Sequence, residues 1–344
     1  MKIFIIGCGR ILQKHLDSIK ILGNRLKIVG ISDIKKSRLR NTAKKLNTSK
    51  FSNYIDGIKK TNPDIVSILT PSGYHAKHII DVLKLKKNVI VEKPMCLKIS
   101  DGKKIITLAK KNKKRVFVVM QNKFNLPVLK LRNDIEKFKF GNIFHSSVIV
   151  RWRRDQKYYD NDSWRGTWKL DGGVISNQAS HHLDLLRTIM GEPISVFAKS
   201  NNHLAKIQCE DTALIIFKFK KNRTALMEAT TAMRPKNIEG SISVLGTKGS
   251  AKIGGFALNK FEYYNLSKNI DLSKYQTNPN NVYGFGHIKF YIHVLKSLKT
   301  GKLSEFEAKN AFNTVKLINA IYKSIETNKE IYLKNKIESK KLGI

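Results

Sequence analysis

The sequence predicts an α/β chain in two parts: an N-terminal doubly wound parallel sheet of the Rossmann type, then an α+β domain with a one-faced, mostly antiparallel sheet. Three observations predict it. Over the first 120 residues, short β-rich apolar runs alternate with amphipathic helical stretches. The turn Gly7-Cys8-Gly9-Arg10 separates the first strand from the first helix. From about Gln121 the pattern changes to short alternating strands parted by Gly, Asn and Lys turns.

Taken in order, Ile3–Ile6 reads as a strand. Ile11–Leu22 reads as a helix, with Ile11, Leu12, Leu16, Ile19 and Leu22 apolar. Leu26–Ile31, Ile65–Leu69, Asn88–Val91 and Arg115–Met120 are further strands, with helices near 74–86 and 99–112. Continuous apolar strands joined by helices indicate a parallel sheet covered on both faces. In the second half, a helix near 127–138 precedes the strand Ser146–Trp152 and the polar, aromatic segment Arg153–Leu170. A helix over Ser176–Met190 follows. Then come the alternating runs Ile194–Ala198, Asp211–Phe219, Ala225–Thr231, Ser241–Leu245 and Ser250–Ile253, and a closing helix over Glu305–Thr327. The domains are expected at 1–122 and 123–344, leaving open whether the last helix packs back on the first.

Composition bounds the function. With 344 residues and 41% apolar side chains the chain can build a core, which excludes the disordered and collagenous classes. Lys and Arg number 65 against 26 Asp and Glu, a formal charge of +39, which by itself suggests an anionic partner. The excess is spread over the chain: 33 basic and 9 acidic residues lie in 1–150, 32 and 17 in 151–344. It is also 52 Lys to 13 Arg, whereas base readers and bidentate phosphate clamps lean on Arg. Specific nucleic-acid binding is therefore not expected. Cys8, Cys96 and Cys209 show no CxxC spacing, so neither disulfides nor a metal site is expected. The N-terminus runs straight into a strand, without a signal peptide, and no apolar run reaches the ~20 residues that span a bilayer. A soluble cytoplasmic protein is expected.

Chemistry concentrates in a few motifs. Gly7 and Gly9 stand where the backbone must turn tightly and approach a pyrophosphate at a helix N-terminus, although the third position of the fingerprint is Leu12. Asp33, at the end of the second strand, can accept from an adenosine ribose 2′-hydroxyl, which favours NAD over NADP; the competing reading is a helix cap. Thr70-Pro71-Ser72-Gly73-Tyr74-His75 and Glu92-Lys93-Pro94 both follow strands, where ligands bind in such sheets. On the expected helix, Asn177, His181 and Asp184 are spaced to share one face, while His182 is turned about 100° away.

Together these residues resemble the Gfo/Idh/MocA oxidoreductase family over essentially the whole chain. The resemblance implies that Lys93 is a catalytic or substrate-orienting residue and that His181 faces the substrate. It implies a cofactor lined by Gly7, Gly9, Arg10, Ile11, Asp33, Thr70, His75, Glu92, Lys93, Gln121 and Tyr283. This chain has Asn177 where most members carry Asp; an amide orients a hydroxyl but does not share a proton. That variant, with Arg151-Trp152-Arg153-Arg154, Tyr158-Tyr159, Trp164-Arg165-Gly166-Thr167-Trp168 and Pro235-Lys236-Asn237-Ile238-Glu239-Gly240-Ser241, looks like one branch. It is the UDP-N-acetyl-2-amino-2-deoxyglucuronate dehydrogenases of O-antigen and related surface-sugar (lipopolysaccharide) biosynthesis, extended by Tyr283-Gly284-Phe285-Gly286-His287.

The implied reaction is oxidation of the sugar 3-hydroxyl with hydride passing to NAD. His181 is the first candidate base and Lys93 the group that polarises the oxygen, with exchanged roles open. In this branch Trp164 and Arg165 also reach a nicotinamide cofactor. Arg154, Arg234 and Lys236 are candidate anchors for a diphosphate and a carboxylate, Tyr159 for the sugar or uracil ring, and Asn177 for a sugar hydroxyl. A homodimer or homotetramer is expected. The alternatives are a dehydrogenase of another sugar nucleotide, sugar or inositol and, more remotely, a basic nucleic-acid binder.

Overall fold

The computed structural model of the chain describes residues 1–266 and 270–344. They form two compact units, Met1–Met120 with His287–Val315 and Gln121–Gly286 with Lys316–Ile344.

The first unit opens with strand β1 (Lys2–Ile6), helix α1 (Leu12–Leu22), β2 (Lys27–Ser32), α2 (Lys36–Leu46), β3 (Lys50–Phe51) and α3 (Tyr54–Thr61). It continues with β4 (Ile65–Ile68), α4 (His75–Lys84), β5 (Asn88–Val91), α5 (Ile99–Lys111) and β6 (Val116–Val118). The six strands run parallel in the order β3-β2-β1-β4-β5-β6. Their apolar runs are continuous because helices cover both faces: every residue of β4 is buried. Strand order reverses between β1 and β4, which puts the switch point at the turns that follow them, Gly7 to Arg10 and Thr70 to His75. Gly7 stands there at φ +100°, and a Cβ on it would lie 2.8 Å from the Leu69 carbonyl oxygen. Only glycine lets β1 turn that close to its neighbour.

The second unit contains α6 (Leu126–Glu136), β7 (Ile143–Arg151), α7 (Gln156–Asp160), α8 (Ser180–Met190), β8 (Ser195–Asn201) and β9 (Thr212–Lys218). It continues with β10 (Thr224–Thr230), β11 (Glu239–Gly246), β12 (Gly249–Gly254) and β13 (Lys260–Tyr264). Two helices, α9 (Gly286–Thr300) and α10 (Ala308–Thr327), and the short β14 (Ile331–Tyr332) end the chain. The sheet order is β13-β12-β11-β7-β10-β9-β8-β14, antiparallel except for the β7–β10 pair. Helix α8 packs on β7 and β11. Residues of β9 alternate accordingly, with Ala213, Ile215 and Phe217 buried and Leu214 and Ile216 exposed.

The fold class is as the sequence predicts. One element differs in a way that matters: the helix expected from Ser176 begins at Ser180, after turns. The segment just ahead of it is tied to distant groups. Val174 donates to the Glu210 carbonyl at 3.0 Å, Ile175 to the Glu210 carboxylate at 3.0 Å and Gly173 to the Tyr322 hydroxyl at 2.9 Å. Helix α9 has no counterpart in the sequence reading; it starts at Gly286, straight out of a glycine-rich turn.

Candidate active site

In the first unit the glycine turn is tied to the acid at the end of β2. The Asp33 carboxylate accepts from the Cys8 amide at 2.7 Å and, through its other oxygen, from the Lys35 amide at 2.7 Å. Asp33 is thus both a local cap and the floor of the turn, and each oxygen keeps a lone pair for an outside donor. The Arg38 guanidinium lies 4.0 Å from it. No side chain caps α1, its Leu12 and Lys14 amides turn back onto the Gly9 and Ile11 carbonyls, and a Cβ on Gly9 would meet nothing nearer than Arg38 at 3.8 Å. That is the form of a pyrophosphate cradle.

The next two loops are cross-braced. The His75 ring lies 2.8 Å from the Thr70 carbonyl and 2.7 Å from the Pro94 carbonyl, and so links the turn after β4 to the segment after β5. A neutral ring donates to only one of them. Complete burial nonetheless outweighs that pull and pushes His75 below its ordinary value. Thr70 also contacts His78 through its hydroxyl at 3.0 Å. Glu92 accepts from His15 Nε2 at 3.0 Å and from the Lys93 amide at 3.3 Å. Burial acts to raise its carboxyl, but the His15 hydrogen bond and the charges of His15, His287 and Lys93 hold it at about 2.

In the second unit His181 lies on α8, 9% exposed, with Gln121 Nε2 3.5 Å from its Nε2. An amide donor there is accepted by the Nε2 lone pair, which puts the ring proton on Nδ1. Asp184 does not share a stripe with Asn177. It is buried in an ion pair with Lys123 at 2.8 Å and a second with Arg187 at 3.3 Å. Asn177, in the turns before α8, donates to Asp171 at 2.6 Å, and Asp171 accepts from the Gly166 amide at 3.0 Å. The expected helical face is therefore corrected at Asn177, which lies in the turns before α8, whereas His181 and Asp184 both lie on the helix. His182 points away, as the helical spacing requires, and packs edge-on against Trp152 at 5.6 Å; burial pushes it down to about 4.

Arginines and aromatics stack nearby in the same unit. The Arg154 guanidinium is 5.5 Å from the Trp152 ring and 5.2 Å from Tyr158; Arg165 is 4.4 Å from Tyr158 and 4.5 Å from Trp164. Tyr158 thus joins Arg154 to Arg165 and Trp164. Arg234 donates to the Arg154 carbonyl at 3.3 Å, and Asn237 accepts from Arg154 Nη1 at 3.2 Å. Lys236 is exposed. Tyr159 is buried, its hydroxyl 3.0 Å from Thr231 Oγ1. Tyr283 is 39% exposed, its amide bonded to Asn281 at 3.1 Å.

Residues 1–120 match the NAD-binding Rossmann fold of an oxidoreductase family, and residues 132–333 match the C-terminal alpha/beta domain of the same family. The chain belongs to the Gfo/Idh/MocA oxidoreductase family. It is similar to the WlbA dehydrogenase from Bordetella pertussis solved with NADH and UDP-GlcNAcA: 32% identity, 96% of this chain and 97% of that one, TM-score 0.93. The WlbA dehydrogenase from Chromobacterium violaceum, also with NADH and UDP-GlcNAcA, is 32% identical over 96% of this chain and 95% of that one, TM-score 0.90. Myo-inositol 2-dehydrogenase from Thermotoga maritima is 28% identical over 72% of this chain and 74% of its own length.

This Gfo/Idh/MocA member is an NAD-dependent oxidoreductase. The uncrowded Gly9, the uncapped α1 and the Asp33 carboxylate fit the dinucleotide: the first two would take the pyrophosphate and the third a ribose hydroxyl. Sequence reasoning missed His15, Lys123, Asn237 and Glu210. His15 had a signal, a lone imidazole among Leu12, Leu16 and Ile19 on the buried face of α1. Among the described residues no helix is long and apolar enough to cross a membrane.

Proposed function

We propose that this enzyme oxidises the 3-hydroxyl of a UDP-linked amino-uronic sugar, UDP-N-acetyl-2-amino-2-deoxyglucuronate, to the 3-keto sugar for surface polysaccharide biosynthesis. The observation that carries the reading is the likeness, over nearly the whole chain, to two WlbA dehydrogenases solved with NADH and UDP-GlcNAcA. Bound NAD would accept the hydride from the carbinol carbon. The chain's own residues handle the proton and the charge. His181 would take the hydroxyl proton at Nε2, the substrate hydroxyl displacing the Gln121 amide that donates there, and Lys93 stabilises the oxygen as charge develops on it. The exchanged assignment, Lys93 as base, stays within the reading. Arg10, Ile11, Thr70, His75, Glu92, Gln121 and Tyr283 line the cofactor, and Trp164 and Arg165 reach a nicotinamide. Arg154 and Arg234, bonded to one another through the Arg154 carbonyl, anchor the anionic groups together with Lys236. Tyr159 and Asn177 complete the sugar end.

The three cysteines are free and buried, in keeping with a reducing compartment, and we place the enzyme in the cytoplasm as a homodimer or homotetramer. The second reading, a sugar or inositol dehydrogenase, draws on the similarity to myo-inositol 2-dehydrogenase. A panel of UDP-sugars differing at C6, with free sugars and inositol, separates the two by reduction of a coupled acceptor that reoxidises the NADH. Preference for the C6 carboxylate is expected, with turnover lost in Lys93→Ala and His181→Ala. Equal use of the neutral sugar, or turnover of inositol alone, would overturn the reading.

A further inference from the structure

Behind the Glu92-Lys93-Pro94 segment, three elements of the first unit converge on one carboxylate. His15 comes from α1 and is fully buried; His287 and Tyr291 come from α9. His15 stands between the Tyr291 hydroxyl, 2.8 Å from Nδ1, and Glu92 Oε1, 3.0 Å from Nε2. A neutral ring serves both in one way only: Nε2–H donates to the carboxylate and Nδ1 accepts from the phenol. The other carboxylate oxygen, Oε2, accepts the Lys93 amide at 3.3 Å. The Glu92 carboxylate is therefore gripped at one oxygen by α1 and at the other by the backbone of its neighbour in the chain.

We propose that His15 is a positioning residue for the reaction: through Glu92 it fixes the backbone from which Lys93 projects. This rests on the reading of Lys93 given above. The charge around Glu92 is fixed from every side. It faces His15 from α1, His75 from α4, His287 and Tyr291 from α9, and Lys93 beside it, while Lys14 faces His287. The network ends in buried groups, since Tyr291 and Ser67 beyond it are both 0% exposed. The Glu92 side chain is 12% exposed at the opposite end, so the buried Tyr291 and His15 end serves to hold that carboxylate in place. The alternative occupant is a metal ion, because His15, Glu92 and His287 bring one ligand atom each within 4.8 Å of one another. His15 argues against it. Both its nitrogens are already engaged, and a metal would have to displace the hydrogen bond to Glu92.

The test compares His15→Ala, His15→Gln and Lys93→Ala in the full-length enzyme, each first checked for a cooperative melt and for NADH binding. Glutamine carries one donor and one acceptor and can replace both contacts. In His15→Ala, kcat is expected to fall about 10²-fold, the cost of a misplacement on the order of 1 Å, with KM changed less than about threefold. That variant should also gain an acid limb in its kcat–pH profile, because burial then raises Glu92 without the His15 hydrogen bond to offset it. His15→Gln should recover to within about tenfold of the parent and lack the new limb. Lys93→Ala separates the two ideas. If it turns over normally, the reading of Lys93 and the clamp both fall. If it is dead while His15→Ala keeps the parental kcat and pH profile, the clamp alone falls. His15→Gln as inactive as His15→Ala would mean packing, not positioning. Stoichiometric zinc removed by EDTA and absent from His15→Gln would overturn the clamp in favour of a metal centre.

Discussion

Asp33 does two jobs with one carboxylate. Its two oxygens hold the Cys8 and Lys35 amides, and so set the turn and the start of α2. Its charge is expected to select among dinucleotides, because a 2′-phosphate would lie against it. Arg38, 4.0 Å away, is balanced by that charge and would be left as a cation without it. Asp33→Asn removes the charge and keeps the shape and one acceptor, at the loss of one of the two backbone contacts. The ratio of kcat/KM with NAD to that with NADP is expected to fall at least about tenfold, since hydrogen bonds to a charged group contribute about 1.5–3 kcal/mol. Steady-state kinetics with both cofactors reads this directly. An unchanged ratio would mean that Asp33 is only a cap.

At the scale of elements, β9 and β10 present a face that their own unit leaves uncovered. Leu214, Ile216 and Leu226 are 55%, 56% and 43% exposed, and register pairs Ile216 with Leu226 on one side and with Phe197 of β8 on the other. Such a row suits a second copy of the same sheet. Ile216→Asp, at a side chain more than half exposed in its own unit, is expected to lower the mass seen by light scattering to that of the monomer while the melt is kept. A parent protein that is already monomeric at micromolar concentration would sink the idea. The strands themselves were legible because period-two alternation in β9 and β10, and unbroken apolar runs in β4 and β5, follow directly from which faces are buried. The start of α8 was not. Glu210 and Tyr322 hold the backbone just ahead of it, at Gly173 to Ile175, and nothing local to Ser176 announces residues so distant. The site divides in the same way. Gly7, Asp33 and the Glu92-Lys93 pair could be picked out because turn chemistry is local. His15 acquires its meaning only by meeting a carboxylate 77 residues away.

The whole molecule carries a formal charge of +39, so its response to pH is best read from buried groups at fixed ionic strength, where exposed charges beyond about 8 Å are screened. The buried groups oppose one another. Glu92, held at about 2, favours the folded chain above the ordinary carboxylate value of 4.5, and that stability is lost as pH falls towards 2. His78, His182 and His287 are pushed by burial to about 4, 4 and 3, so the unfolded chain gains protons on them below 6.5 and stability falls further on the acid side. Glu210 acts in the other direction. Burial pushes it up to about 7, against hydrogen bonds from the Ile175 amide and the Tyr322 hydroxyl. Between 4.5 and 7 the unfolded chain releases this proton and the folded chain keeps it, so stability falls as pH rises through that window. A shift of this size corresponds to roughly 3 kcal/mol. Histidines and Glu210 thus work against each other from about 4.5 to 6.5, and a stability curve of the parent alone will not resolve them. The difference between parent and Glu210→Gln will. Glutamine is neutral at every pH, so its melting temperature should exceed the parent's by a margin that is small at pH 4.5, grows through pH 7 and is then constant. A margin independent of pH would mean that Glu210 is ionised in the fold throughout, with its charge met by the donors around it.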